Sequence, residues 1–172
     1  MKKILWISII LFISCAKDKK EDQFLIKFYE GGFNVKGAQS GYVNIKGDTI
    51  IPAGKYECYT DTLRTHAIVK EKSGRIIGID KKENTLFEVY GQNGQPDSPR
   101  DGLFRIIKDG KIGYANDEGN IVIAPLYKCA FPFFNGQARV AIYCQIKDNE
   151  GRQMMSTDQW IFIDTKGKLV EK

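Results

Sequence analysis

A bend that keeps returning narrows what this chain can fold into more than any other feature. In Asn116-Asp117-Glu118-Gly119 an Asn stands first and a Gly fourth. That order suits a type I turn followed by a left-handed residue, the common three-residue β-hairpin with a bulge at Gly. It recurs at Asn44-Ile45-Lys46-Gly47, Asp80-Lys81-Lys82-Glu83 and Asp164-Thr165-Lys166-Gly167, with first residues 36, 36 and 48 positions apart. A recurrence of this length points to a repeat architecture instead of one woven core. Glu83 departs from the pattern, because a side chain at positive φ is strained. The second hairpin is therefore expected either to move its left-handed residue to Asn84 or to be a poorer turn.

Each bend is followed by an apolar run: Thr49-Ile50-Ile51, Thr85-Leu86-Phe87, Ile121-Val122-Ile123 and Leu169-Val170. In two copies Pro52 or Pro125 then stands where a strand should stop, since proline cannot donate to a ladder. A second turn lies upstream of the bend, strongest in Lys108-Asp109-Gly110-Lys111 and matched by Lys72-Ser73-Gly74-Arg75 and Asn149-Glu150-Gly151-Arg152. Each unit reads as a three-stranded antiparallel meander joined to the next by a loop of roughly ten residues. The expectation is an all-β array, elongated or partly curled, over residues 23–172, fullest in the stretch from Gly110 to Ile142. Residues 23–36 supply one or two leading strands that cap it, with Gly31-Gly32 as a turn or bulge.

The run GYANDEGNIVIAPLY, then FFNGQARV, then WIFIDTKGKLV resembles the WG-repeat family. Units of that family carry a Trp-Gly pair, an Ile-Asp-x-x-Gly turn, an Ile/Val-Pro exit and a Phe-x-x-Gly-x-Ala-x-Val strand. The likeness covers about Gly41 to Lys172, and only the Asn116 unit is close. No unit holds the Trp-Gly pair: its places read Ser40-Gly41, Ile76-Ile77, Ile112-Gly113 and Trp160-Ile161. The resemblance implies repeated β-hairpins and a binding or scaffold role, and assigns no chemistry.

At the other end, Lys2-Lys3, an apolar run from Ile4 to Ile13 broken only by Ser8, and Ser14-Cys15 form a secretion signal too short to span a bilayer, which needs about 20 residues. Cys15 stands where the lipobox of bacterial lipoproteins places its lipidated cysteine, although Phe12 replaces the usual Leu. The alternative is an ordinary signal peptide with an incidental cysteine. The resemblance implies a lipid attachment at Cys15, with residues 1–14 removed and residues 15–22, whose charges alternate in AKDKKED, left as a solvated tether. Ala16 after the cysteine favours the outer membrane, and Asp18, Glu21 and Asp22 could instead serve surface export, so the membrane face stays open.

Removing Lys2 and Lys3 lowers Lys+Arg from 26 to 24 against 21 acidic residues, taking the formal charge from +5 to +3. The charges are scattered, which gives no nucleic-acid footprint. Three cysteines remain beyond Cys15. A bridge between Cys129 and Cys144 within one unit stands beside a reading in which Cys58, Cys129 and Cys144 are all buried thiols. No Cys-x-x-Cys occurs and His66 is the only histidine, so neither a zinc site nor any other metal or cofactor site is expected.

Catalytic options are correspondingly few. His66 precedes the apolar Ala67-Ile68-Val69 and reads as structural; no Gly-x-Ser-x-Gly elbow exists to partner it. Asp97 and Asp101 are a carboxylate pair of the kind that can work on a glycoside, yet they stand in the polar loop QNGQPDSPRDG, where such residues also serve turns and solubility. Phe131-Pro132-Phe133-Phe134 reads as core packing before a ligand platform. Tyr56, Tyr90 and Tyr127, 34 and 37 residues apart, read as one packing position used three times. The last unit looks like one long hairpin with arms Ala138–Ile146 and Arg152–Asp164, extended by KDNEGRQMMSTDQ; extensions of that kind map to binding faces in repeat proteins. The expectation is a non-catalytic cell-envelope protein that binds a protein or envelope component. Its rivals are an envelope hydrolase acting on a polymer and a purely structural lipoprotein.

Overall fold

A computed structural model describes residues 24–33, 35–149 and 152–171; the secretion signal, Cys15 and the charged tether lie outside these residues. No helix occurs among the described residues. The first meander is β1 (Leu25–Tyr29), β2 (Ser40–Val43) and β3 (Thr49–Ile51), and two short strands, β4 (Glu57–Cys58) and β5 (Thr62–Leu63), lead away from it. The second is β6 (Ala67–Lys70), β7 (Ile76–Ile79) and β8 (Thr85–Val89), followed by a small hairpin of β9 (Gly91–Gln92) and β10 (Gln95–Pro96). The third is β11 (Leu103–Lys108), β12 (Lys111–Asn116) and β13 (Ile121–Tyr127). The last unit holds β14 (Cys129–Ala130), β15 (Gln137–Ala141), β16 (Gln145–Asn149), β17 (Arg152–Ser156) and β18 (Ile161–Asp164).

The four bends share one hydrogen-bond design. The backbone N–H of the fourth residue donates to the carbonyl of the first, as Gly47 to Asn44, Glu83 to Asp80, Gly119 to Asn116 and Gly167 to Asp164. The side-chain oxygen of the first residue then accepts from the backbone N–H of the residue after the bend: Asp48, Asn84, Asn120 and Lys168. Hydrogen bonds to the first residue hold two of the carboxyls below their ordinary range, Asp80 chiefly through the Asn84 side-chain amide and Asp164 chiefly through the Lys168 N–H. Glu83 keeps the left-handed position itself at φ 63°, against 82° for Gly119, so the bend does not shift to Asn84. Its carboxylate meets Lys55 Nζ at 2.6 Å.

The glycine of the Gly-Tyr dipeptides has a different cause. A Cβ on Gly113 would lie 2.7 Å from Pro125 N, and one on Gly41 would lie 2.8 Å from Ala53 N. The chain leaving the third strand at its proline crosses the second strand at this point, and only a residue without a side chain admits it. The neighbouring tyrosines point the other way into the core. Tyr42 donates its hydroxyl to Thr60 O at 2.6 Å and Tyr114 to Phe131 O at 2.7 Å, two fully buried rings performing one task in two units. Burial raises the pKa of both.

The units are not independent stacked blocks. Strand β8 pairs with β11 through Ile106↔Val89 and Ile107↔Glu88, so the second and third meanders fuse into an open seven-stranded sheet, β13-β12-β11-β8-β7-β6-β4. Its two faces carry different cores. Ile77 and Ile79 join Leu25, Tyr42, Ile51 and Leu63 of the first sheet, β3-β2-β1-β5. Tyr114 and Ile123 join Phe133, Val140 and Ile163 of the last unit. The opposite face gathers Phe87, Val89, Phe104 and Ile106. The sheet curls until Thr65, just before β6, donates its hydroxyl to Glu118 O at 2.8 Å in the β12–β13 bend.

Two further expectations change. Residues 25–29 are not a cap but the first strand of a complete meander, pairing with β2 across a connection that contains Gly31 and Gly32 at φ 81° and 105°. The last hairpin is broken in two: β15 pairs with β18 in the sheet β14-β15-β18, and β16 pairs only with β17. Its turn at residues 150 and 151 lies outside the described residues. The break coincides with a disulfide between Cys129 and Cys144, Cα atoms 6.2 Å apart, that ties the base of β16 back to β14. Closing its 15-residue separation stabilises the fold by about 3 kcal/mol on the chain-entropy model. Cys58 is a buried free thiol whose pKa is raised, first of all, by that burial.

Candidate functional site

The residues with catalytic potential are each occupied by structural contacts. The ring of His66 is buried, stacked 6.4 Å from Phe104 and tilted against Phe87 at 6.1 Å, with Gly119 pressed against it. Burial lowers its pKa below 6.5 and outweighs the Glu118 carbonyl and the charges of Asp117 and Glu118, which raise it. A histidine held neutral in the fold is protonated first in the unfolded chain, so stability is full above about pH 6.5 and declines as the pH falls below it. Melting temperature is expected to drop between pH 7 and pH 5, and His66→Gln to flatten that slope whatever it does at pH 8. Asp80 and Asp164, ionised below 3.8, do not contribute in this window.

Asp97 and Asp101 do not act as a pair. Asp97 grips the guanidinium of Arg105, with Arg105 Nη2 2.6 Å from Oδ1 and Nε 3.0 Å from Oδ2. Arg105 also donates to Ala130 O at 3.1 Å and lies 3.9 Å over the ring of Tyr90. Asp101 Oδ2 accepts from the backbone N–H of Gly136 at 2.7 Å. One carboxylate therefore ties the loop to the third meander, and the other holds a hairpin tip of the last unit. The three tyrosines do pack on cores, Tyr56 on one and Tyr90 and Tyr127 on another, which gives related rather than identical positions.

The aromatic run divides. Phe133 is buried at 1 % exposure and makes an edge contact with Tyr114 at 4.8 Å, while Phe134, 75 % exposed, stands in solvent. Directly after Phe134, Asn135 and Gly136 form a two-residue turn at φ 51° and 78°, closed by reciprocal backbone bonds of Phe134 and Gln137. This tip, the strand pair Arg139↔Phe162 and the half-buried Phe131 and Pro132 line a groove of about 480 Å³ on the outer face of the last sheet. Arg139 lies in its floor. Its guanidinium carbon is 4.4 Å from the Phe131 ring centroid and 4.7 Å from that of Trp160, so the cation contacts both rings. The two rings touch each other at 5.3 Å.

Two other hollows are less suited to a ligand. One of about 380 Å³ between the first and second meanders has most of its lining charges in ion pairs, Lys70 with Glu57 at 2.5 Å, Lys55 with Glu83 and Glu71 with Arg75. One of about 420 Å³ lies at the base of the β16–β17 hairpin, between Tyr143 and Gln159. The described residues contain no cluster of His, Cys, Asp and Glu able to hold a metal. Among the described residues no helix is long and apolar enough to cross a membrane, which says nothing of β-barrel membrane proteins.

A curled all-β array of Asx-capped hairpins, with an aromatic groove on its terminal sheet, is the class of protein these features define. Residues 112–145 match the family model described as WG containing repeat, which supports a place with a WG-repeat family. That span runs from β12 to the first residue of β16 and holds Phe131, Phe134 and Arg139; Trp160 and Phe162 lie beyond it. Searches of curated proteins and of solved structures found no match.

Proposed function

We propose that this chain is a non-catalytic binding module of the cell envelope, built from degenerate WG-like units and held to the membrane by lipid on Cys15. Its groove on the last sheet takes a protein or envelope component. The observation that carries this reading is the guanidinium of Arg139, fixed between Phe131 and Trp160 at the floor of an open aromatic groove. Aromatic residues and arginine around a concavity are the composition of recognition surfaces. The β16–β17 hairpin, with Ile146 and Met154 exposed at 39 % and 56 %, supplies a second surface for a partner.

The test is capture from a membrane extract on the immobilised protein. One enriched component, lost on Phe134→Ala and weakened by deleting Lys147 to Gln159, is the expected result. Turnover of an envelope polymer by the purified full chain would instead install the hydrolase reading. For the anchor, Cys15→Ser is expected to abolish palmitate labelling and to release the protein from the outer-membrane fraction. Retention of the variant in that fraction overturns the lipid attachment.

A further inference from the structure

Resting on the binding reading above, we infer that the groove recognises a carboxylate-bearing saccharide, with Arg139 taking the carboxylate and the surrounding rings and amides taking the sugar. Three observations converge. Arg139 is the only charged side chain among the groove residues, so the site favours an anion over a neutral or cationic ligand. Among the described residues its side chain makes the two aromatic contacts and no hydrogen bond or ion pair. A planar fork of this kind matches a carboxylate in a bidentate manner and has already lost much of its rotamer freedom before binding.

The remaining lining distinguishes a sugar from a peptide. An extended peptide brings a backbone donor and acceptor at every residue and needs matching backbone groups on its host. The groove has few to offer: Phe134 and Gln137 satisfy each other, Phe131 N–H donates to Arg139 O, and Arg139 pairs with Phe162. What it does present is the exposed Phe134 ring and the primary amides of Asn135 and Gln137. A pyranose ring has an apolar C–H face to lie on an aromatic ring. Its hydroxyls both donate and accept, as do primary amides. The backbone of the Asn135-Gly136 tip is held by Asp101, so the turn that carries these amides is already formed before binding.

The test uses the full chain in nonionic detergent and calorimetric titration with three probes: an α-1,4-linked galacturonic acid trimer, the corresponding neutral galactose trimer, and triglutamate. The uronide is expected to bind about ten-fold or more tightly than the neutral sugar. Arg139→Gln should erase that preference and leave the two sugars equal. Phe134→Ala, at an exposed site that leaves the melting curve unchanged, should weaken both by roughly five-fold. Equal binding of both sugars by the wild type, or a preference that survives Arg139→Gln, overturns the inference. Triglutamate binding as tightly as the uronide overturns it in favour of an acidic peptide. If no sugar binds while capture from membrane extract still depends on Phe134, the saccharide is wrong and the binding module stands; if that capture also fails, both fall.

Discussion

Asp97→Ala is expected to cost about 3–5 kcal/mol of unfolding free energy and to lower Tm by about 10 °C, the largest effect of any single change outside the apolar core. The carboxylate and the guanidinium of Arg105 are 10 % and 7 % exposed, so removing one leaves the other charged and buried. Asp97 Oδ2 also accepts from the Arg105 backbone N–H at 2.9 Å, which the variant orphans. The double variant Asp97→Ala with Arg105→Met should recover part of the loss, because two apolar side chains of suitable volume avoid the unpaired charge. Denaturant titration of the four members of the cycle measures the coupling. A single-variant loss below about 1 kcal/mol would show that the ion pair is solvated and does not tie the loop down.

Gly119→Val should cost about 3 kcal/mol and Glu83→Val about 1 kcal/mol, although both residues fill the fourth place of the same bend. Gly119 has φ 82°, and a Cβ there would lie 2.6 Å from His66 Cγ. The substitution therefore combines left-handed strain with a clash against a buried ring. Glu83 already holds φ 63° with a side chain, so its replacement adds only β-branching and the loss of a half-exposed ion pair with Lys55. His66→Ala should restore part of the stability of Gly119→Ala, since it empties the space the new Cβ enters. Equal melting temperatures for the two valine variants would mean that the third bend does not press on the start of the second meander.

Much of the local architecture was legible because hairpin chemistry is written in short strings. The Asx-x-x-Gly bends came out where the residue order placed them, as did the Asp109-Gly110 turn, whose two residues stand at φ 52° and 68°. The same dipeptide signal occurs at Asn93-Gly94, Asp101-Gly102 and Asn135-Gly136, all left-handed at both residues. The last of these builds the rim of the groove. Phe131 to Phe134 are not one packing block: Phe133 turns inward and Phe134 stands in solvent, in a connection outside any strand.

The groove itself could not be read along the chain. Phe131, Arg139 and Trp160 come from three segments, and only the β15–β18 register, which sets Arg139 opposite Phe162, brings them together. Asp97 and Arg105 were likewise visible as residues but not as partners, because a loop aspartate has the same sequence appearance whether it faces water or a buried guanidinium. The pairing of Cys129 with Cys144 was one of two open readings until the break between β15 and β16 set their Cα atoms 6.2 Å apart.

The amino-acid order by itself determined the class of fold: antiparallel hairpins closed at repeated bends, since turn geometry depends on a few adjacent residues whose φ preferences are intrinsic. The tertiary structure alone decided that β8 and β11 join two meanders into one sheet, which charges are buried, and which aromatic residues face solvent. Those outcomes depend on contacts between segments far apart in the chain. An open strand edge or an apolar face accepts any compatible neighbour, and the one it meets is settled by how the whole set of surfaces is best covered.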